Sequence, residues 1–169
     1  TTHRRNKNAR FHVGGVDAEF FNSTRGLRGF KGEVYEGGIR VPMIARLPGV
    51  IPPGKESDFP GYFADWYPTL CEAAGLEPPA ELDGESFWPI LKGEPDPDER
   101  KPMVWAFIEY GGQVAVRLGN HKVIRRGLKT DSPGGWELYD IEADRGESQN
   151  LADERPEIFE RAKEILRRE

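Results

Sequence analysis

A lysine set among glycines has the clearest capacity for chemistry in this sequence. Lys31 follows Gly26 and Gly29 and precedes Gly32, Gly37 and Gly38. Glycine lets backbone approach an anion closely, and a fixed ammonium stabilises negative charge as it develops. A solvated loop lysine accounts for the same residue equally simply. His12 precedes this stretch, and a lone histidine in a loop reads as a surface or hydrogen-bonding residue. Its ordinary pKa near ~6.5 means that titration alone would not mark a further role. Glu36 and Arg40 read as structural, Glu36 accepting backbone N–H groups in the glycine turn and Arg40 pairing with a carboxylate. The single cysteine, Cys71, can form neither an intramolecular disulfide nor a Cys-based zinc site. It reads as a packed small side chain. Trp66, Trp88, Trp105 and Trp136 are scattered, which fits a core better than a sugar platform.

The elements that must position these residues are legible in part. Residues 1–12 carry His3, Arg4, Arg5, Lys7 and Arg10 without periodicity, the pattern of a mobile basic tail; a nucleic-acid arm is the sharper alternative. Residues 13–38 read as a glycine-rich loop. The apolar run from Ile39 to Ala45, bounded by glycine and proline, predicts a buried strand near 41–46, with Pro42 at its start or on an edge. Residues 47–64 are loop. Asp65 then looks like the N-cap of a helix over 66–74, with Pro68 in its first turn, Leu70, Ala73 and Ala74 on one face and Gly75 as the stop. Residues 76–101 are a Pro- and Asp-rich connection holding one short apolar turn at 87–91.

The character changes near residue 102. Val104 to Ile108 reads as a strand. Val114, Val116 and Leu118 alternate, Gly119 and Asn120 turn the chain, and His121 to Ile124 return, which predicts a hairpin. A two-residue loop places Val116 opposite Val123 and Leu118 opposite His121, so His121 belongs to the sheet surface. Trp136 to Ile141 reads as a further strand. Pro156 opens an amphipathic helix with Ile158, Phe159, Ala162, Ile165 and Leu166 on one face. Arg167 and Arg168 suit its C-terminal dipole. The expected class is α/β, or α+β for this piece in isolation. Residues 13–101 form one part and residues 102–169 a small antiparallel sheet with a terminal helix.

Composition narrows the partners. The formal charge is −5 and no basic stripe alternates with aromatics, which argues against nucleic acid. No apolar run approaches the ~18 residues of a membrane span, so no membrane partner is expected. The first ten residues lack the apolar core of a signal peptide. Nothing in the sequence assigns a compartment.

Three blocks together resemble the sulfatase family of the alkaline-phosphatase superfamily. The first is LRGFKGEVYEGGIRVPMIARLPG at 27–49. The second is ADWYPTLCEAAGL at 64–76. The third is NHKVIRR at 120–126 followed by WELYDIEADRGESQNLADERPE at 136–157. Their order and spacing fit the family, and the resemblance covers about residues 12–160. It implies the end of a sulfatase-type mixed-sheet domain followed by a small closing sheet and helix. It also implies that Lys31 is a catalytic lysine whose ammonium contacts sulfate oxygens, and that His12 lies where it could touch substrate.

The resemblance implies absences too. The family's nucleophile is a formylglycine made from Cys or Ser in a C/S-x-P/A-x-R motif, and Cys71 lies in Leu-Cys-Glu-Ala-Ala. An Asp-Asn-Gly metal turn precedes the His-x-Gly-Gly of close relatives, whereas here the positions read Asn8-Ala9-Arg10. We therefore expect no metal ligand and no cofactor in this chain, although calcium and formylglycine are implied for an intact relative. The expected partner is a sulfate ester or sulfate anion, bound weakly. Two readings follow. In one, the chain is the C-terminal fragment of a sulfatase, inactive alone. In the other, it is a non-catalytic module derived from one. A phosphoesterase relative is a third. A strand at 41–46 outside its large sheet would expose unpaired edges and apolar faces, so either of the first two predicts a homo-oligomer, with strands exchanged between protomers.

Overall fold

The structure, a computed structural model, describes residues 2–3, 16–18 and 20–168. His12 and the positions 8–10 lie outside the described residues, as does most of the basic segment 1–12. In chain order the elements are β1 (Thr2–His3), β2 (Val16–Asp17), α1 (Glu36–Ile39), a 3-10 turn (Phe63–Asp65), α2 (Trp66–Ala73) and α3 (Trp88–Leu91). There follow β3 (Met103–Phe107), β4 (Gln113–Leu118), β5 (His121–Arg126), β6 (Trp136–Asp140) and α4 (Pro156–Leu166). The chain divides into two compact units, residues 1–41 with 104–169, and residues 42–103.

The first unit is built on a sheet of order β3-β4-β5-β6. The β4–β5 hairpin has the expected register, with Val116 opposite Val123 and Leu118 opposite His121. Its loop turns at Gly119, whose φ of +56° is what the first position of a type II′ turn requires. Strand alternation then sorts the side chains. Val116, Val123 and Leu138 face α4 and enclose Ala162, with Ile158, Phe159, Ile165 and Leu166 packed around them. Ala115, Ile124 and Tyr139 face the other way and pack on Val34 and Tyr35. Both faces of the sheet are therefore covered, one by the terminal helix and one by the glycine-rich stretch. A one-residue slip of β5 would exchange its two faces. The expected α+β architecture, a small antiparallel sheet with a C-terminal helix, is what the fold contains.

Three local expectations fail. Residues 40–47 have no regular structure, and Val41, Met43 and Ile44 are 78%, 51% and 96% exposed. An apolar run becomes a strand only where a neighbour completes its ladder, and among the described residues none does so. Residues 36–38, expected as loop, form α1 together with Ile39 instead, because Gly37 and Gly38 allow a backbone approach that stabilises one helical turn. The third correction concerns Asp65, in the unit formed by residues 42–103. Its carboxylate does not cap α2 but turns back, accepting N–H bonds from Tyr62 and Glu85 (2.8 and 2.9 Å) and a two-pronged contact from Arg100 (3.0 and 3.1 Å). Burial of Asp65 decides this, since a buried carboxylate needs its counter-charge more than a helix needs one cap. The buried face of α2 is consequently Pro68 and Thr69, while Leu70 is 59% exposed. The Thr69 hydroxyl donates to Asp65 O at 2.6 Å and accepts from Phe87 N at 3.0 Å. The helix does stop at Gly75, where Gly75 N reaches Glu72 O and Leu76 N reaches Cys71 O.

Candidate functional site

The first unit carries a cleft of about 520 Å³ whose wall includes Lys31, Glu33, Tyr110, Gln113, Arg126 and Glu137. Strand alternation explains why these residues meet. Gln113 and Arg126 are opposite one another in the β4–β5 ladder, and Glu137 pairs with Ile124 on the far side of β5. All three therefore project from the sheet face that packs on the glycine-rich stretch.

Lys31 is exposed, but the backbone that carries it is held. The Gln113 amide grips both sides of the neighbouring peptides, its Nε2 donating to Gly32 O at 2.8 Å and its Oε1 accepting from Val34 N at 3.4 Å. Gln113 is itself only 4% exposed. Glu33 closes the turn by accepting from Phe30 N at 3.0 Å. Gly32 has φ of +93°, a conformation that favours glycine, and a Cβ there would stand 2.9 Å from the Tyr110 ring, which would have to shift.

α1 locks the same loop from below. Gly37 N donates to Arg28 O at 2.7 Å. A Cβ on Gly37 would fall 2.3 Å from Gly29 O, and one on Gly38 would fall 1.9 Å from Glu33 O. The two glycines of the Glu-Gly-Gly block are thus spacers that let two backbones touch.

Beneath α1 lies a buried charge cluster. Lys122 Nζ is 2.7 Å from Glu36 Oε1 and 2.7 Å from Glu147 Oε1, with the Lys122 and Glu147 side chains fully enclosed. Glu147 also caps α1, its Oε2 accepting from Glu36 N at 2.7 Å. Burial pushes the Glu147 carboxyl above the usual carboxylate range, opposed by the adjacent Lys122 ammonium. The expectation that Glu36 accepts backbone N–H groups is therefore corrected: its carboxylate takes a buried ammonium, because Lys122 stands on the inward face of β5 and needs a counter-charge. Arg40 does pair with a carboxylate, 3.4 Å from Glu36.

A second cluster supports the cleft wall. Glu137 Oε2 accepts from the hydroxyls of Tyr35 and Tyr139 at 2.6 and 2.7 Å. Arg28 donates to the Tyr139 hydroxyl and to Glu147 O, both at 2.7 Å, and lies over the Tyr35 ring at 4.0 Å. Burial, and then the bond to Glu137, pushes the Tyr139 phenol up to about 12. It stays protonated as a donor at neutral pH.

With this geometry in hand, comparison with known proteins is decisive about the family. Residues 30–168 match the family described as N-sulphoglucosamine sulphohydrolase, C-terminal. The chain belongs to this sulfatase family, as a C-terminal portion. An uncharacterized sulfatase of Schizosaccharomyces pombe is 37% identical over 139 residues, 76% of this chain and 24% of that protein. A sulfatase of Formosa agariphila is 34% identical over 158 residues, 85% of this chain and 28% of that protein. The crystal structure of Ps i-CgsB matches with a TM-score of 0.70 at 27% identity, over 84% of this chain and 31% of that one. The chain thus spans about a quarter of the length of these curated relatives.

Of the two site residues expected from sequence, this sulfatase portion presents Lys31 on the cleft, while His12 lies outside the described residues. Lys122, Glu147, Gln113, Arg126 and Glu137 were missed. Lys122 carried a signal: alternation puts it on the same face as Ile124, and a lysine on a covered face needs a buried partner. Glu147 and Gln113 carried none, since turn and strand-end positions are ordinarily solvated. Calcium needs six or more oxygen ligands, and no group of three or more His, Cys, Asp or Glu able to hold a metal occurs among the described residues. These residues do not fit that ion. Among the described residues, none of the cleft-lining side chains is Ser, Thr, Cys or His.

Proposed function

We propose that the chain is the closing part of a sulfuric ester hydrolase in which Lys31 contacts the sulfate oxygens. The observation that carries this reading is the way Lys31 is presented: an exposed ammonium on a backbone clamped by Gln113 and backed by Gly37 and Gly38, at the edge of a cleft. Cleavage of a sulfate ester spreads negative charge over the non-bridging oxygens. A cation whose backbone is fixed beforehand stabilises that charge without reorganisation. The formylglycine and calcium implied for an intact relative find no fitting residues among the described ones, so no step is assigned to them. On this reading the nucleophile and the metal ligands come from outside residues 1–169, and the chain alone does not turn over.

The test is aryl-sulfate hydrolysis by the purified chain, with and without calcium, beside Lys31→Ala, together with a titration of inorganic sulfate. The expected result is no turnover under any condition, and weak sulfate binding that Lys31→Ala removes. Turnover abolished by Lys31→Ala would reveal a nucleophile in this chain and overturn the account of inactivity.

A second reading, that the isolated chain self-associates as a non-catalytic module, is supported by the exposure of Val41, Met43 and Ile44. Contiguous exposed apolar side chains favour association in water. Light scattering across a concentration series decides it, and a monomer at every concentration would remove it.

A further inference from the structure

We infer that Tyr110 is a substrate-positioning residue of the cleft, held in a strained conformation so that its side chain stacks on the flat apolar face of the ring that carries the sulfate ester. This inference rests on the reading of Lys31 as the sulfate contact and adds what stands beside the sulfate.

Tyr110 has φ of +51°, and Gly111 and Gly112 follow it at +86° and +78°. Glycine adopts that region freely, but for a bulky aromatic residue it is an outlier. Such a conformation persists only where the surroundings over-determine it, and it clusters at sites that hold a ligand. The surroundings here do over-determine it. Gly112 N donates to Glu109 O at 3.0 Å and closes the turn. The carbonyls of Gly111 and Gly112 accept from Lys129 N and Leu128 N at 2.8 and 3.1 Å. The loop between β3 and β4 is thus tied to the segment that follows β5.

Burial does not account for the strain. Tyr110 remains 66% exposed, so folding gains little from its ring. The ring stacks on Phe107, with centroids 5.8 Å apart and planes at 17°, and Phe107 is packed against the core around Val34 and Tyr35. Its Cε2, Cζ and Cδ2 atoms meet the backbone of Gly32, where an added Cβ would stand 2.9 to 3.3 Å from them. Gly32 directly follows Lys31. The ring is therefore fixed beside the residue that presents the ammonium, and both line the same cleft of about 520 Å³. Among the described residues, Phe30 and Tyr110 give this wall its aromatic surface, the rest being charged, polar or glycine. Small-molecule sites combine such apolar surface with a few placed polar groups.

The linkage of a sulfate ester suits this arrangement. The S–O–C bridge puts the first carbon of the organic group two bonds from sulfur. A sulfate held at Lys31 therefore brings that group to the neighbouring part of the wall, where Tyr110 stands. An aromatic ring stacks on an aryl plane and equally on the C–H face of a pyranose, since both are flat and apolar.

The experiment uses the 169-residue chain and three monosulfates: phenyl sulfate, methyl glucoside 3-sulfate, and ethyl sulfate, which has no ring. Affinity is read from amide chemical shifts of residues 30–34 and 109–113, and the melting temperature is measured for each variant. At least one ring-bearing sulfate binds about threefold to tenfold more tightly than ethyl sulfate. A gain for phenyl sulfate identifies an aryl ester, a gain for the glucoside a pyranose ester, and either supports the inference. Tyr110→Phe keeps the gain. Tyr110→Gly removes it while the melting temperature holds or rises, because glycine relieves the strained φ. Tyr110→Asn, which tolerates a positive φ, repeats the comparison should three consecutive glycines loosen the loop. A role confined to folding would lower the melting temperature together with the affinity. Equal affinities for ring-bearing and ethyl sulfates, a gain that survives both Tyr110→Gly and Tyr110→Asn, or a melting temperature that falls in both, overturns the inference. Lys31→Ala separates it from the underlying reading: if Lys31→Ala leaves ethyl sulfate binding intact, the sulfate site itself is wrong. Absence of any shift with any ligand overturns both.

Discussion

Replacing Lys122 by methionine tests the buried cluster most severely. Methionine keeps the length and apolar stem of lysine and removes only the ammonium. In the native chain that ammonium touches two carboxylates at 2.7 Å each. At an effective dielectric of ~20, each contact is worth roughly 6 kcal/mol of Coulomb attraction. Desolvating three ions costs several kcal/mol apiece, so the cluster as a whole is near break-even. Removing the ammonium destroys that balance. It leaves Glu36 and Glu147 enclosed together with no counter-charge between them, and loss of one partner from a buried pair costs about 3–5 kcal/mol. Against a domain stability of roughly 5–15 kcal/mol, Lys122→Met consumes a large share. Glu147→Gln does the reverse: it leaves one ammonium with one carboxylate, and since burial already disfavours the Glu147 charge it costs little, about 1 kcal/mol or less. The assay is urea unfolding followed by tryptophan fluorescence at neutral pH, with the denaturant slope checked for constancy. A loss below about 1 kcal/mol for Lys122→Met, or a larger loss for Glu147→Gln than for Lys122→Met, would refute the argument.

Further outcomes follow from the same geometry. The Glu147 carboxyl is raised in the folded state, chiefly by burial, so between its ordinary value of ~4.5 and its folded value the native state binds more protons than the unfolded one. Its contribution is greatest below that window and is lost as pH rises through it. Urea unfolding from pH 4 to 8 should show this decline in the native sequence and its absence in Glu147→Gln. Gly38→Ala forces a Cβ to 1.9 Å from Glu33 O and should cost more than ~2 kcal/mol, against about 1 kcal/mol or less at Gly54, which has open space and only a positive φ to strain. Equal effects at the two sites in thermal melts would count against the close-approach account. Phe159→Ala removes the ring that meets Trp136 edge-to-face at 5.3 Å. It should cost about 3 kcal/mol, with the hairpin amides losing hydrogen-exchange protection together; retained protection would mean that α4 docks without it.

Legibility followed the range of the interaction responsible. The hairpin, its register and the terminal helix were readable because each depends on neighbours within a few residues. Gly119 and Asn120 set the turn, alternation set the faces, and the 3.6-residue repeat from Ile158 to Leu166 set the side of α4 that packs. The Lys31 assignment came from a motif, and the motif's own logic was hidden. Gly37 and Gly38 serve the backbone at Arg28 and Glu33, not an anion directly. The failed strand at 41–46 shows the complementary limit, since its residue types were right and its partner was absent among the described residues.

By itself, then, the sequence determined what local chemistry determines: a two-sided β-hairpin, an amphipathic closing helix, a glycine-surrounded lysine and the sulfatase family. Tertiary structure alone decided that Glu36, Lys122 and Glu147, separated by 86 and 25 positions along the chain, share one enclosed cluster. It alone placed Gln113 behind the Lys31 loop and set Arg126 between Glu33 and Glu137 at the cleft. The physical reason is that charge pairing and backbone clamping act through space at about 3 Å and carry no periodicity. A pattern along the chain records which face a residue is on, and only the packed fold records what it meets there.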